Sequence, residues 1–344
     1  MKNMLSVFVG KHQGVPVLDN TRRVARIADR IPYYARVICG AVGRIPVSTM
    51  LRSHFPFALP DGDGPAHLTI EFTNYCNLAC PYCTSPLGIR RRGMMDQLTF
   101  AILLNQIREF GLPRVRVVGN GEATLHPRFC EMIRALAGSC RYLNLVTNGQ
   151  CLDERMARTI LEAPVRLLEI SADSDSKQEY ERSRVRGNFE CLLANLKMLQ
   201  KLKRELQSPT LINVRAMIRP SEYSREPGII RFWARHADVA MPQYLHDYTR
   251  GNDADVFMHD QKRKGTIPRC SLPTKAMIVH WNGRVPICEM SQQQTGIPEG
   301  VIAGDIHEQS LREIWNSALF VQYRAGHRNR KPELTPICSG CLGG

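Results

Sequence analysis

The chain has 344 residues, 43% hydrophobic and 23% charged, with a formal net charge of +14 and 12 cysteines. That length suits two domains or one large domain with an appendage, and the composition is that of a globular chain with a real core. No run of about 18 apolar residues occurs, and the N-terminus lacks a basic flank, apolar stretch and cleavage site in that order, so neither a membrane span nor secretion is expected. The expected compartment is the cytoplasm, where twelve cysteines point to reduced thiols and metal ligands rather than to a disulfide framework.

Residues 1–65 are read as a basic helical leader and linker. Nine Lys or Arg stand between positions 1 and 54 against Asp19 and Asp29, which is half of the chain's excess charge. Val24, Ile27, Ala28 and Ile31 recur at helical spacing, and Pro32 and Pro46 divide the helix into short pieces. Such a leader can lie on an anionic membrane surface, meet an acidic partner, or pack on the main domain with its arginines solvated. Aromatic residues do not interleave with the arginines as a stacking platform would require, so no nucleic acid is expected as a partner. The turn-rich stretch 57–65 marks the boundary.

From residue 66 strand and helix patterns alternate. Strands are predicted over 67–72, 115–118, 142–146, 167–171, 211–218 and 239–244, and helices over 99–110, 128–137, 153–161 and 189–206. Strands separated by long helical stretches predict an α/β fold, a partial (β/α)6 barrel of TIM type over 66–262, with its chemistry in the loops after the strands.

The first such loop reads NYCNLACPYC, placing Cys76, Cys80 and Cys83 in a C-x3-C-x2-C pattern with Tyr82 before the third. Three thiolates can hold three irons of a 4Fe-4S cluster and leave the fourth open, whereas a zinc knuckle or scattered core thiols is the plainer reading. The second strand ends in GNGEATLHP, where Gly121 and its neighbours permit a tight turn and close approach of backbone to a ligand. The third ends in TNG, a structural turn. The fourth ends in EISADS, with Ser171 and Asp173 facing the same mouth and Arg184 and Arg186 following. Asn213 and Arg215 alternate with apolar residues on the fifth strand, facing a ligand or a buried carboxylate. After the sixth, Tyr244, His246, Asp247, Tyr248 and Arg250 crowd one loop, either to position a substrate and move its proton or as a hydrated surface.

Residues 263–344 carry a second cysteine set. Cys270, Gly283 and Cys288 follow a C-x12-G-x4-C pattern, and a hairpin of MIVHW and RVPIC about Asn282-Gly283 is predicted. A helix burying Leu311, Ile314 and Trp315 follows, and CSGC supplies Cys338 and Cys341. Four thiolates suffice for a second 4Fe-4S cluster or for a structural zinc. Cys39, Cys130, Cys140, Cys151 and Cys191 share no spacing and are expected as buried thiols.

Taken together, these motifs over 66–344 resemble the radical S-adenosylmethionine (SAM) enzymes with a C-terminal auxiliary iron-sulfur domain of the SPASM/Twitch type. The resemblance implies that Cys76, Cys80 and Cys83 hold the cluster whose open iron binds SAM and splits it into methionine and a 5'-deoxyadenosyl radical. It assigns Gly121 and Glu122 to the SAM amino group, although Asn120 stands where the family has glycine and Ala123 where proline is common. Ser171, Asp173 and Arg184 or Arg186 would hold the SAM carboxylate and ribose, with Tyr82 in the same cofactor set. Cys270, Cys288, Cys338 and Cys341 would hold one auxiliary 4Fe-4S cluster, in the shortened Twitch form because the central C-x2-C-x5-C of the longer form is missing.

The reaction first expected on this resemblance is an oxidation: hydrogen abstraction from a small sugar, cyclitol or nucleotide-type substrate, with the auxiliary cluster accepting the electron. Tyr244, His246 and Asp247 would be its catalytic residues, and a flavodoxin or ferredoxin its electron donor. A peptide maturase making a crosslink or epimer is the second reading, weakened by a leader without a strand pair. A non-enzymatic iron-sulfur or zinc protein is the third, and the strand-end SAM motifs argue against it.

Overall fold

Seven short runs pair side by side as one all-parallel sheet, running from the sixth strand in chain order stepwise back to the first and ending on the seventh. The computed structural model describes residues 64–245 except Pro113, together with Asp253, Asp255, Cys270, 272–288 and 301–340. In chain order the first six strands are β1 His67–Ile70, β2 Arg114–Val117, β3 Tyr142–Thr147, β4 Val165–Ala172, β5 Leu211–Ile218 and β6 Val239–Tyr244. The helices between them are α1 Gln97–Phe110, α2 Phe129–Ala137, α3 Glu154–Glu162, α4 Lys177–Ser183, α5 Phe189–Glu205 and α6 Glu226–Trp233. Each crossover carries a helix, as parallel neighbours require.

Local sequence fixes the ends. Asp96, Asp153 and Asn188 cap α1, α3 and α5 by accepting from the backbone N–H of Thr99, Met156 and Cys191. Gly111 ends α1 at φ 68°, a left-handed geometry that glycine adopts without penalty. Leu68, Ile70, Val115, Val117, Leu143, Leu145, Ile170, Ile212 and Val214 bury the helix-facing side of the sheet. On the other side Glu169 is buried among polar partners: Asn144 Nδ2 donates to it at 2.7 Å, and Arg116 and Arg215 approach it at 3.6 Å. Arg215 thus has a buried carboxylate beside it.

The C-terminal part continues with α7 Leu272–Lys275, β7 Ala276–Val279, β8 Arg284–Pro286, β9 Ile302–Asp305, α8 Leu311–Trp315 and α9 Ala318–Asn329. Here the predicted hairpin is corrected. Asn282-Gly283 does turn the chain, with Gly283 at φ 82° and His280 N–H donating to Arg284 at 2.9 Å, but the two strands part company. β7 joins β1 in parallel register as the seventh core strand, and β8 pairs antiparallel with β9. α8 has the expected buried face and a capping box from Ser310 and Glu313. It docks on α1, where the Gln106 amide bonds both Ile306 O and Leu311 N–H. No helix among the described residues is long and apolar enough to cross a membrane. The helical leader lies outside the described residues.

His280, at the end of β7, is buried beside Glu71 at the end of β1. Burial pushes its pKa down from 6.5 to about 4, against the opposing pull of Glu71. Between those values the unfolded chain binds the extra proton, so stability falls as pH drops from about 6.5, by on the order of 3 kcal/mol when complete. Burial opposes ionisation of Glu71, yet His280 and the Arg90 guanidinium hold its carboxyl below the usual range. Its contribution is present above that range and lost only in stronger acid. Urea midpoints are expected to fall between pH 7.5 and 5 in the native sequence and to fall less in His280→Asn. Equal falls in both would contradict the assignment.

Candidate active site

The cysteine loop leaves β1 and is closed at its base. Thr73 Oγ1 donates to Gly93 O at 2.8 Å, Gly93 N–H donates to Asn74 Oδ1 at 2.8 Å, and Asn74 Nδ2 donates to Arg91 O at 2.9 Å. Below it Arg90 grips the buried Glu71 through two bonds of 2.9 and 2.6 Å, and Asn120 N–H donates to the same carboxylate at 2.9 Å. Such bidentate pairing fixes orientation as well as charge. The loop is thereby anchored to both β1 and β2.

Within it Cys80, Leu78 and Tyr82 form a small buried cluster with Leu245, against which Cys76, Cys83 and Met217 pack. The three thiols lie close enough to act on one another: burial pushes Cys76 up to about 12 and Cys83 up to about 11, and neighbouring thiols add to both shifts. Side chains from other strand ends meet two of the thiols: Asn148 Nδ2 donates to Cys76 Sγ at 3.9 Å, and the Cys83 thiol donates to Asn120 Oδ1 at 3.8 Å. Among the described residues no three His, Cys, Asp or Glu side chains converge as ligands of a single ion. A cubane spreads three thiolates over three separate irons, so a trio of this kind can hold a cluster and leave its fourth iron open.

The GNGE turn meets this loop backbone to backbone. Glu122 N–H donates to Tyr75 O at 2.8 Å, and a methyl group on Gly121 would lie no farther than 2.7 Å from Thr73 O, Tyr75 O and Asn74 Cα. That is the physical reason for glycine there. Gly121→Ala must push the cysteine loop aside, at a cost of about 1–3 kcal/mol. A lower melting temperature and slower iron uptake are expected, and wild-type values for both would contradict this.

Glu122 is turned inward. Its carboxylate accepts from Thr124 N–H and Oγ1, from Thr147 Oγ1 at 2.7 Å and from Asn148 N–H at 2.7 Å. It brackets the second and third strand ends, and the TNG turn gains a part the sequence did not suggest, because Asn148 is held against Cys76. An asparagine in a turn reads as turn chemistry alone.

Asp173 and Arg184 form a buried ion pair at 2.8 Å. Asp173 also accepts from Ser183 Oγ at 2.5 Å and from Tyr82 OH at 3.1 Å, and Trp233 Nε1 donates to its carbonyl at 2.9 Å. Burial works most strongly against the charge of Arg184, but Asp173 together with Tyr82, Cys80 and Tyr180 outweighs it and holds the guanidinium firmly protonated. Arg184 Nη2 is buried and meets no partner among the described residues. An orphaned N–H beside Cys80 suits a ligand carboxylate. Arg186 is exposed, so of the two arginines Arg184 is the one at the site. Ser171 is buried on β4 opposite Arg215. Tyr244 is placed elsewhere: its hydroxyl donates to Glu226 Oε2 at 3.0 Å and its ring meets Tyr223. Strand alternation turns Tyr244 toward α6 and Leu245 toward the cysteines. His246, Asp247, Tyr248 and Arg250 lie outside the described residues.

In the C-terminal part Cys288 and Cys338 both pack at the edge of the core and lie near Tyr323 of α9. Cys270 is half-buried, and Cys341 lies outside the described residues. Thiolates from two separate segments suit an auxiliary cluster.

A sheet of parallel strands with three clustered thiols at its C-terminal mouth, a glycine turn clamped to them and a buried arginine beside them defines a radical SAM site. The sequence matches the radical SAM superfamily over residues 70–214 and the SPASM iron-sulfur cluster-binding domain over 270–342. The chain belongs to the radical SAM superfamily and carries a C-terminal SPASM domain, so its cofactors are SAM, a 4Fe-4S cluster and auxiliary iron-sulfur. It is similar to the tungsten-containing aldehyde ferredoxin oxidoreductase cofactor-modifying protein of Pyrococcus furiosus, 24% identical over 80% of this chain and 86% of that one. With the PqqA peptide cyclase of Gluconobacter oxydans it shares 31% identity over 207 residues, 59% of this chain and 56% of the relative. The crystal structure of BtrN in complex with AdoMet and 2-DOIA has the same fold, with a TM-score of 0.53 and 17% identity over 80% of this chain and 91% of that one.

Proposed function

We propose that this protein is a radical SAM enzyme that modifies a peptide or protein side chain, forming a crosslink or inverting a stereocentre. The observation that carries this reading is the 31% identity with PqqA peptide cyclase. It favours the peptide reading over oxidation of a small polar alcohol, which the cysteine pattern alone had put first.

Bound at this site, the cluster and SAM supply a one-electron reductive cleavage and with it abstraction of hydrogen from an unactivated C–H bond. The chain's own residues do the rest. Cys76, Cys80 and Cys83 hold three irons, and the Asn148 side-chain amide donates to the Cys76 sulfur and orients it. Arg184, steadied by Asp173, offers Nη2–H to the SAM carboxylate, and the Gly121 backbone receives the amino group. Leu78, Leu245 and Met217 exclude water from the reacting atoms. His246 and Asp247 carry the substrate proton. A flavodoxin or ferredoxin in the cytoplasm supplies the electron.

The test uses deuterium. Reconstituted protein, SAM and dithionite are incubated with candidate peptides deuterated at chosen side-chain carbons, and 5'-deoxyadenosine is analysed for the label. Transfer from a peptide is expected. Transfer from deuterated cyclitols or sugars, with none from any peptide, would restore the oxidation of a small polar alcohol.

A further inference from the structure

Helix α9 cradles the segment that carries Cys338. Gln322 Nε2 donates to Leu334 O at 2.9 Å, and Lys331 N–H donates to Gly326 O at 2.9 Å. A methyl group on Gly326 would stand 2.6 Å from Thr335 Cγ2, so helix and segment are in direct contact. Cys338 N–H in turn donates to Thr335 O at 2.9 Å. One turn apart on the same face of α9 lie Tyr323 and His327. The Tyr323 phenol meets the backbone of Ile337, and His327 Nε2 lies 3.5 Å from Cys338 Sγ, within hydrogen-bond reach of sulfur. The sulfur is thus fixed from one side by a helix that also presents an imidazole to it.

A thiolate bound to iron has no proton to give, so in that contact Nε2 carries the hydrogen. Hydrogen bonds to cluster sulfurs set reduction potential, because they favour the more negative, reduced state.

We propose that His327 is a positioning residue that donates Nε2–H to the Cys338 thiolate and raises the reduction potential of the auxiliary cluster. This rests on the reading of Cys338 as a cluster ligand. The consequence is functional: a raised potential makes the auxiliary cluster a better acceptor of an electron from the reacting substrate.

The experiment uses the full chain with Cys76, Cys80 and Cys83 replaced by alanine, which leaves only the auxiliary cluster to be reconstituted. Its midpoint potential is read by electron paramagnetic resonance during a redox titration, in that background and with His327→Phe or His327→Gln added. His327→Phe keeps the ring volume without a donor and is expected to move the midpoint to more negative potential at unchanged iron and sulfide content. His327→Gln places an amide N–H at similar reach and is expected to hold the midpoint nearer the background value. An unchanged midpoint in His327→Phe overturns the proposal. Loss of iron in His327→Phe, with loss of a directly bonded nitrogen coupling, would make His327 a ligand and also overturn it. If the background chain binds zinc and no iron-sulfur cluster, the ligand reading itself fails, and that result is distinct from an unshifted midpoint.

Discussion

Replacing Cys80 by alanine is expected to remove about half of the iron from the reconstituted protein and to reduce 5'-deoxyadenosine formation from SAM to background. Cys80 is 7% exposed and sits at the centre of the apolar cluster formed by Leu78, Tyr82 and Leu245. No other described thiol can take its place, because the loop is clamped at Thr73, Asn74 and Gly93 and cannot slide to offer another. Cys76→Ala and Cys83→Ala should behave alike, while the auxiliary iron survives in all three. Cys140→Ala is the control. Its thiol is pushed up to about 11 by burial and donates to Leu136 O at 3.3 Å, far from the site in the fold, so iron content should not change. Full iron in Cys80→Ala would remove the cluster from this loop.

The second large effect is expected at the Asp173–Arg184 pair. Removing one partner of a buried ion pair leaves the other charge uncompensated, which costs about 3–5 kcal/mol. Arg184→Met leaves Asp173, 1% exposed, with the neutral donors Tyr82 and Ser183 at bonding distance and Arg219, already paired with Asp253, as a more distant cation. Asp173→Asn leaves a buried guanidinium with no counter-charge at bonding distance among the described residues. Both variants should lose several kcal/mol in urea unfolding and bind SAM more weakly in equilibrium dialysis against cluster-loaded protein. Joining the two changes should cost less than their sum, since the double variant strands no charge. Strict additivity would mean that the pair does not act as a unit.

Much of this architecture could be read from the residues, and the failures have definite causes. Strand existence was plain from runs such as LINVRAMI, where apolar and polar positions alternate, and four of the helices were plain from their length and apolar spacing. α4 and α6, with seven and eight residues, are too short to show a period. MIVHW was readable as strand, but not its partner. Backbone pairing is a long-range choice, and an Asn-Gly turn only suggests the local one. Tyr244 meets Glu226 while its neighbour Leu245 packs with the cysteines, and residue spacing does not tell which of two strand neighbours turns inward. Glu122, which the motif assigns to a ligand, also accepts from four donors of Thr124, Thr147 and Asn148, a scaffold role that spacing does not show. The cysteine spacings themselves needed no tertiary information.

The most direct measurement is made on protein reconstituted anaerobically with iron and sulfide, reduced with dithionite and given SAM, with 5'-deoxyadenosine followed over time. SAM-dependent release of 5'-deoxyadenosine that disappears in Cys80→Ala is the predicted result. An intact reduced cluster that leaves SAM uncleaved would contradict the account.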